Sequence, residues 1–316
     1  DVGGEFTAHP KVCPVTGYLL WFSYHEDGIE YGVWDKRGVP VHRTSIPLSR
    51  SIMAHDIAMT EHYTVVVDCP LLFSPKDILE GKGPVRFQKE QSMRLGVLPR
   101  HGCGESVEWY TVPGVGKACF HVMNAFEDPS GELVIIGCSM PEVTLLDMNV
   151  EFADQQRLTE WRIDRQAGRI KERVLSAVPC DFPQVNPAFA GQPFRFGYAA
   201  VFNDALTHGG VPMFRGILKH DLQSGKSMVW EAGPGPFVGE PVFVPRVGAK
   251  ATSEDDGYLL VHAHDENSNR SEVVVLDAQD FERSPVCRLQ MPSRVPYGFH
   301  ASWIPADCGG SIRRHQ

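Results

Sequence analysis

Short apolar runs separated by polar turn residues make up most of the chain, and this pattern is typical of β-strands. The clearest instance is residues 118–138. There an apolar strand is followed by an Asp-Pro-Ser-Gly turn at residues 128–131 and by a second apolar run at residues 133–136. His121 stands near the head of the first strand. The pattern predicts an antiparallel pair of strands with one imidazole at its start.

The same plan recurs along the chain. His9, His55 and His300 each stand early in a unit of this kind, and Glu240 takes the equivalent place in another. A single buried histidine is more often a hydrogen-bonded core residue than a metal ligand. The recurrence at matching positions is therefore what makes these residues candidates for a shared site.

The spacing of the strands predicts the fold class. Turn signals separate runs that start roughly every 8 to 12 residues, and repeated multi-strand units favour an all-β propeller over a sandwich. Inner strands of successive blades converge on one axis, so we expect His9, His55, His121 and His300 to meet there. Further strands are predicted at residues 30–34, 95–98, 144–149, 158–163, 169–178, 199–202, 216–220, 227–231, 240–245, 258–264, 273–276 and 286–289, and residues 180–198 are predicted to be a crossing loop.

Composition narrows the possible partners. The 316 residues carry a net charge of −9, which disfavours binding to nucleic-acid phosphates. The eight cysteines include no CxxC pair, so we expect free thiols in a reducing compartment and a cytoplasmic location. No apolar run approaches the about 18 residues of a membrane span. The sequence begins with Asp1 in a strand-like stretch, and we expect an N-terminal portion to be missing.

Four neutral imidazoles without a ligating carboxylate indicate a particular kind of metal site. Nitrogen donors suit iron, copper, zinc or nickel better than magnesium or calcium. A metal that binds O2 needs an accessible redox couple and open coordination positions, and Fe(II) meets both conditions. The set differs from the common triad of two histidines and one carboxylate.

Seven motifs spread over the chain resemble the carotenoid cleavage oxygenase family in sequence and in order. They are FTAHPKVCPVTG (6–17), HDIAMTEHY (55–63), FHVMNAFED (120–128), GEPVFVPR (239–246), EDDGYLL (254–260), VLDAQDF (275–281) and GFHASW (298–303). The resemblance implies a seven-bladed β-propeller with a non-haem Fe(II) on its axis, held by His9, His55, His121 and His300. It also implies cleavage of a conjugated carbon–carbon double bond with O2 to give two carbonyl products.

The resemblance further implies carboxylates that orient the ligands. Glu240 is expected to hold His300, and Asp181 to hold His121 where the family usually has Glu. The third carboxylate lies upstream of the first ligand in the family, which leaves the support of His55 open. We expect residues 1–316 to form one carotenoid-oxygenase-like propeller domain that is incomplete at its N-terminus. Alone it is expected not to close a seven-bladed ring, and to be unstable or inactive.

Several alternatives stay open at this point. The apolar substrate is a carotenoid, an apocarotenoid or a stilbene. Rival functions are an inactive propeller that binds an apolar ligand and a non-oxidative isomerase of the same family. Peripheral membrane contact through residues 70–78 is possible, and the sequence does not define the oligomeric state. Five aromatic residues are candidates for either a substrate tunnel or the core: Phe194, Phe196, Tyr198, Phe299 and Trp303.

Overall fold

The computed structural model describes residues 6–74, 79–81, 84–140, 156–208, 211–250 and 253–305. The predicted strand at residues 144–149 lies outside them. Short 3-10 helices occur at Gly104–Ser106 and Pro187–Phe189. The strands are β1 (Lys11–Val12), β2 (Leu19–His25), β3 (Gly28–Trp34), β4 (Pro40–Pro47), β5 (Ile57–Met59), β6 (Tyr63–Asp68), β7 (Leu71–Phe73), β8 (Val85–Phe87), β9 (Arg94–Pro99), β10 (Glu108–Thr111), β11 (Ala118–Glu127), β12 (Leu133–Met140), β13 (Arg157–Asp164), β14 (Arg169–Val185), β15 (Phe196–His208), β16 (Val211–Asp221), β17 (Lys226–Glu231), β18 (Pro236–Val238), β19 (Val242–Pro245), β20 (Gly257–Asp265), β21 (Arg270–Asp277) and β22 (Cys287–Gln290).

Consecutive strands pair antiparallel in blade-like groups. The groups are β1-β2-β3-β4, β5-β6-β9-β10, β11-β12-β13-β14, β14-β15-β16-β17, and β20-β21-β22 with β18 and β19 both paired to β20. The short strands β7 and β8 form a separate hairpin. Strands joined by short connections into successive four-stranded units are the architecture of a β-propeller. The prediction of an all-β propeller fold is confirmed.

The prediction of a crossing loop at residues 180–198 is wrong for residues 180–185, because these residues belong to strand β14. Its first part pairs with β13, and residues 180–185 pair with β15, so one strand ends one blade and begins the next. The pairing with β15 shifts register between Asp181 and Gln184. Such a bulge interrupts the alternation of buried and exposed side chains along a strand. For this reason the sequence pattern did not predict a strand at residues 180–185. β15 already begins at Phe196, which leaves the Pro187–Phe189 helix and its flanks as the connection.

The core lies between the faces of the blades. β12 is buried along nearly its whole length, as its continuous apolar run requires. Trp161 and Tyr198 are fully buried in separate clusters. Gly137 on β12 allows close packing under the site, because a Cβ there would lie 2.8 Å from the carbonyl oxygen of His121.

Seven cysteines in the described part of the chain are free thiols. No helix among the described residues is long and apolar enough to cross a membrane. Residues 75–78 of the segment considered for membrane contact are not among those residues.

Candidate metal centre

The four predicted histidines come together where the inner strands begin. His9 precedes β1, His55 precedes β5, and His121 lies in the first half of β11. His300 follows β22 in the segment at the end of the described chain. One ring nitrogen from each lies within 4.8 Å of the others. Residues far apart in sequence therefore present imidazoles to one point.

The distances between the nitrogens fit a shared ion. The Nε2 atom of His55 lies 3.2 Å from Nε2 of His9 and 3.2 Å from Nε2 of His121. Two nitrogens each about 2.1 Å from one ion and at a right angle are about 3.0 Å apart. The ring of His300 completes the group, with its centroid 4.5 Å from that of His9 and 5.0 Å from that of His121.

Burial keeps two of the imidazoles neutral. Loss of solvent around His9 lowers its pKa to about 3, and the same effect lowers the pKa of His55 to about 4. A protonated imidazole has no lone pair to give to a metal. At neutral pH, both rings are therefore in the form that a metal ion requires.

Asp181 orients His121. Burial of His121 acts to lower its pKa, but the Asp181 carboxylate beside it raises the pKa above its ordinary value. The Nδ1 of His121 lies 2.9 Å from Oδ1 of Asp181. Because an ionised carboxylate only accepts hydrogen bonds, Nδ1 carries the proton and donates it. In the neutral ring, the lone pair is then on Nε2, which faces the other histidines.

Glu240 holds the segment that carries His300. Its Oε1 lies 3.2 Å from Nδ1 of His300 and accepts a hydrogen bond of 2.6 Å from Nε2 of Gln184. Its Oε2 accepts the backbone N–H of Ala301 at 2.8 Å. The carboxylate thus fixes both the ring and the adjacent backbone. Among the described residues, no carboxylate forms a hydrogen bond with His55.

Asp56 is a site residue that the sequence reasoning did not identify. Its side chain is 2% exposed, and its Oδ1 accepts from the N–H of Ile57 at 2.7 Å and from Nζ of Lys11 at 2.6 Å. Its Oδ2 accepts from the N–H of Val122 at 2.8 Å. Burial acts to raise the pKa of Asp56, but Lys11 and these hydrogen bonds keep it below its ordinary value. One carboxylate therefore ties together the heads of β1, β5 and β11. The sequence feature that could have identified Asp56 is its position directly after His55, at the start of an apolar run.

Phe182 is a second site residue that the sequence analysis did not identify. Its ring centroid lies 5.2 Å from that of His121 and 5.2 Å from that of His300. Its backbone has φ +53, in the left-handed region that residues other than glycine rarely adopt. The bulge in β14 thus turns Asp181 towards His121 while it places an aromatic ring against two of the histidines.

The other aromatic candidates separate into two groups. Phe194, Phe196 and Tyr198 pack against neighbouring side chains of the blades. Phe299 and Trp303 are exposed, and they lie on either side of His300 in sequence. A cavity of about 380 Å³ borders His9, His121 and His300 and is lined in part by polar groups, among them Lys11, Gln184 and Glu240.

Successive antiparallel blades with imidazoles converging at their inner strands define a propeller with a candidate metal centre. A profile of the family described as "RPE65: Retinal pigment epithelial membrane protein" matches residues 2–305. The chain belongs to this family, which also contains the carotenoid cleavage oxygenases. The resemblance seen in the sequence motifs is confirmed.

Curated relatives include plant enzymes. The carotenoid 9,10(9',10')-cleavage dioxygenase 1 of Pisum sativum is 34% identical over 97% of this chain and 59% of its own length. The zeaxanthin 7,8(7',8')-cleavage dioxygenase of Crocus sativus is 34% identical over 94% of this chain and 82% of its own length. The chain thus spans about three fifths of the length of the pea relative.

Solved structures share the fold. The lignostilbene dioxygenase of Pseudomonas brassicacearum superimposes with a TM-score of 0.84 at 27% identity, covering 95% of this chain and 66% of that one. A cobalt-substituted apocarotenoid oxygenase of Synechocystis also gives a TM-score of 0.84 at 27% identity, covering 96% of this chain and 65% of that one.

Proposed function

We propose that this protein is a non-haem Fe(II)-dependent dioxygenase that cleaves a conjugated carbon–carbon double bond of an apolar substrate with O2. The observation that carries the proposal is the convergence of four imidazoles, two of them kept neutral by burial. The names of the relatives support oxidative cleavage over ligand storage or isomerisation, since they are dioxygenases of carotenoids and of lignostilbene.

His9, His55, His121 and His300 are the proposed ligands. An all-nitrogen donor set favours a transition metal over magnesium or calcium. One solved structure of the Synechocystis relative is a cobalt-substituted form, which indicates that the metal of that relative can be exchanged. The chemistry that Fe(II) supplies in such a set is the activation of dioxygen.

The residues around the ligands have positioning roles in this proposal. Asp181 and Glu240 accept the Nδ1–H of His121 and His300, and so point the other ring nitrogen of each towards the shared ion. The rings of Phe182 and Phe299 give the approach to His300 an apolar surface, which suits a hydrocarbon and limits access of water.

The reaction is balanced without another reductant. The substrate double bond and the O–O bond both break, and each of the two carbonyl products receives one oxygen atom. Carotenoids, apocarotenoids and stilbenes all have the conjugated double bond that this cleavage needs, and relatives named for carotenoids and lignostilbene support that range.

The test is product analysis with labelled dioxygen. The full-length protein that carries this sequence is loaded anaerobically with Fe(II) and mixed with a stilbene or an apocarotenal under 18O2, and mass spectrometry follows the products at short times. We expect two carbonyl products, each with one labelled oxygen, and no product from His121→Ala. His220→Ala removes a buried imidazole outside the cluster and serves as the matched control. Turnover by iron-free protein, or substrate that is bound but recovered intact, would overturn the proposal.

A further inference from the structure

Cys13 lies beneath a tight turn that directly follows β1. Its backbone N–H donates to the carbonyl oxygen of Tyr18 at 2.9 Å, and its carbonyl oxygen accepts the N–H of Gly17 at 2.8 Å. Gly17 has φ +70, a conformation that glycine adopts without strain. Cys13 is 4% exposed, whereas Val15 in the same turn is 74% exposed. The thiol is therefore covered only by the residues of a surface turn.

Hydrogen-bond donors surround the sulfur of Cys13. Thr16 contributes its hydroxyl and its backbone N–H, and Val15 contributes its backbone N–H. The guanidinium of Arg100, from the turn after β9, also donates to this sulfur. A neutral thiol is a weak acceptor, whereas a group of converging donors suits an anion or an oxygen atom. The surroundings of Cys13 thus fit a thiolate, or a sulfur that carries oxygen, better than a thiol.

Arg100 has a buried donor that no protein group uses. The residue is 8% exposed, and its Nη2 donates to the carbonyl oxygen of Thr60. The carbonyl oxygen of Arg100 accepts the hydroxyl of Tyr31 at 3.1 Å, which fixes the backbone here. Within the described part of the chain, Nε of Arg100 has no hydrogen-bond partner. A buried donor without a partner is costly, so an acceptor added beside this guanidinium is stabilised.

The donors also make this thiol reactive. Burial acts to raise the pKa of Cys13, but the hydrogen bonds from Thr16, Arg100 and the backbone lower it to about 7. A thiol with this pKa is about half ionised at neutral pH, and an ordinary thiol only to a few per cent. The thiolate is the form that peroxides oxidise. Cys69 shows the contrast, because burial raises its pKa to about 12.

We propose that Cys13 is a site of reversible oxidation by peroxides. The thiolate sulfur attacks one oxygen atom of hydrogen peroxide, so that an S–O bond forms, the O–O bond breaks and hydroxide leaves. Sulfur loses two electrons, which reduce the peroxide, and the product is a cysteine sulfenic acid. The new oxygen atom offers an acceptor to the guanidinium of Arg100. This inference does not depend on the proposed dioxygenase function.

The test maps oxidation in the full-length protein that carries this sequence. Metal-free protein at pH 7 is treated with one equivalent of hydrogen peroxide and with dimedone, which traps sulfenic acids, and mass spectrometry quantifies the labelled peptides over time. We expect Cys13 to be labelled about tenfold faster than Cys103, although Cys103 is exposed. Without dimedone, a thiol reductant should return Cys13 to the thiol. Labelling of Cys103 as fast as Cys13, or faster, would overturn the inference.

Two variants test the donors around the sulfur. Thr16→Val removes one hydroxyl from an exposed turn position, so it is expected to fold even where Arg100→Lys does not. Both variants should slow the labelling of Cys13 about threefold, as loss of one hydrogen bond to a thiolate predicts, and should leave Cys103 unchanged. Thr111→Val, at another exposed threonine, is the matched control and should label Cys13 at the wild-type rate. An unchanged rate at Cys13 in folded Thr16→Val would contradict the role of these donors and overturn the inference.

Discussion

Replacing Asp56 by Asn perturbs the group that ties three inner strands together. The substitution removes the negative charge that faces Lys11, and it exchanges one acceptor oxygen for an amide donor. The backbone N–H groups of Ile57 and Val122 each need an oxygen from this side chain, so Asn can satisfy only one of them.

The expected loss of folding stability follows from the burial of the ion pair between Asp56 and Lys11. Removing one partner of a buried ion pair costs about 3 to 5 kcal/mol of stability. Asp56 is 2% exposed, but the Lys11 side chain is 24% exposed and regains water when it loses its partner. We therefore expect a loss of about 3 kcal/mol, at the lower end of that range. With a denaturant slope of about 3 kcal/mol per molar, the urea midpoint falls by about 1 M.

Urea denaturation followed by tryptophan fluorescence measures this loss. Asp280→Asn is the control, because that carboxylate is 59% exposed and should shift the midpoint little. Lys11→Met should cost less than Asp56→Asn, and the double variant should cost less than the sum of the two. A midpoint for Asp56→Asn equal to that of the control would refute the reasoning.

Three further predictions concern the same centre. Asp181→Asn keeps the volume of the side chain but weakens the hydrogen bond from His121, so the affinity for Fe(II) measured by anaerobic titration should fall about tenfold to a hundredfold. Glu240→Gln should lower that affinity by a similar factor, and unchanged affinity in either variant would contradict the positioning role. The pKa of Asp56 is below its ordinary value, so its contribution to stability is present above about pH 4 and is lost as the pH falls through the folded-state pKa. Wild type should therefore lose more stability than Asp56→Asn between pH 5 and pH 3, and parallel pH profiles would count against this.

The sequence predicts the parts of the fold that repeat. Strands such as β11 and β12 have long apolar runs and a clear turn between them, so their positions follow from pattern alone. The pattern does not indicate β4, because this outer strand is mostly exposed and polar. It predicts the first part of β14, residues 169–178, but fails at residues 180–185, where a bulge and the backbone of Phe182 interrupt the alternation of side chains.

The candidate site likewise contains some residues that the sequence predicts and others that it does not. His9, His55 and His121 recur at matching places before or within inner strands, and a repeated position is visible in a sequence. Asp56 acts through backbone N–H groups and a lysine on three separate strands, and no local spacing encodes that set of contacts. The environment of Phe182 likewise depends on how two blades meet.

The central claim is that four imidazoles hold one ion. X-ray absorption at the iron edge, on protein titrated anaerobically with Fe(II), tests it directly. The account predicts one iron per chain, with a first shell at about 2.1 Å and the outer-shell scattering of several imidazole rings, all absent from His121→Ala. Iron bound mainly by carboxylate oxygens, or bound equally well by His121→Ala, would contradict it.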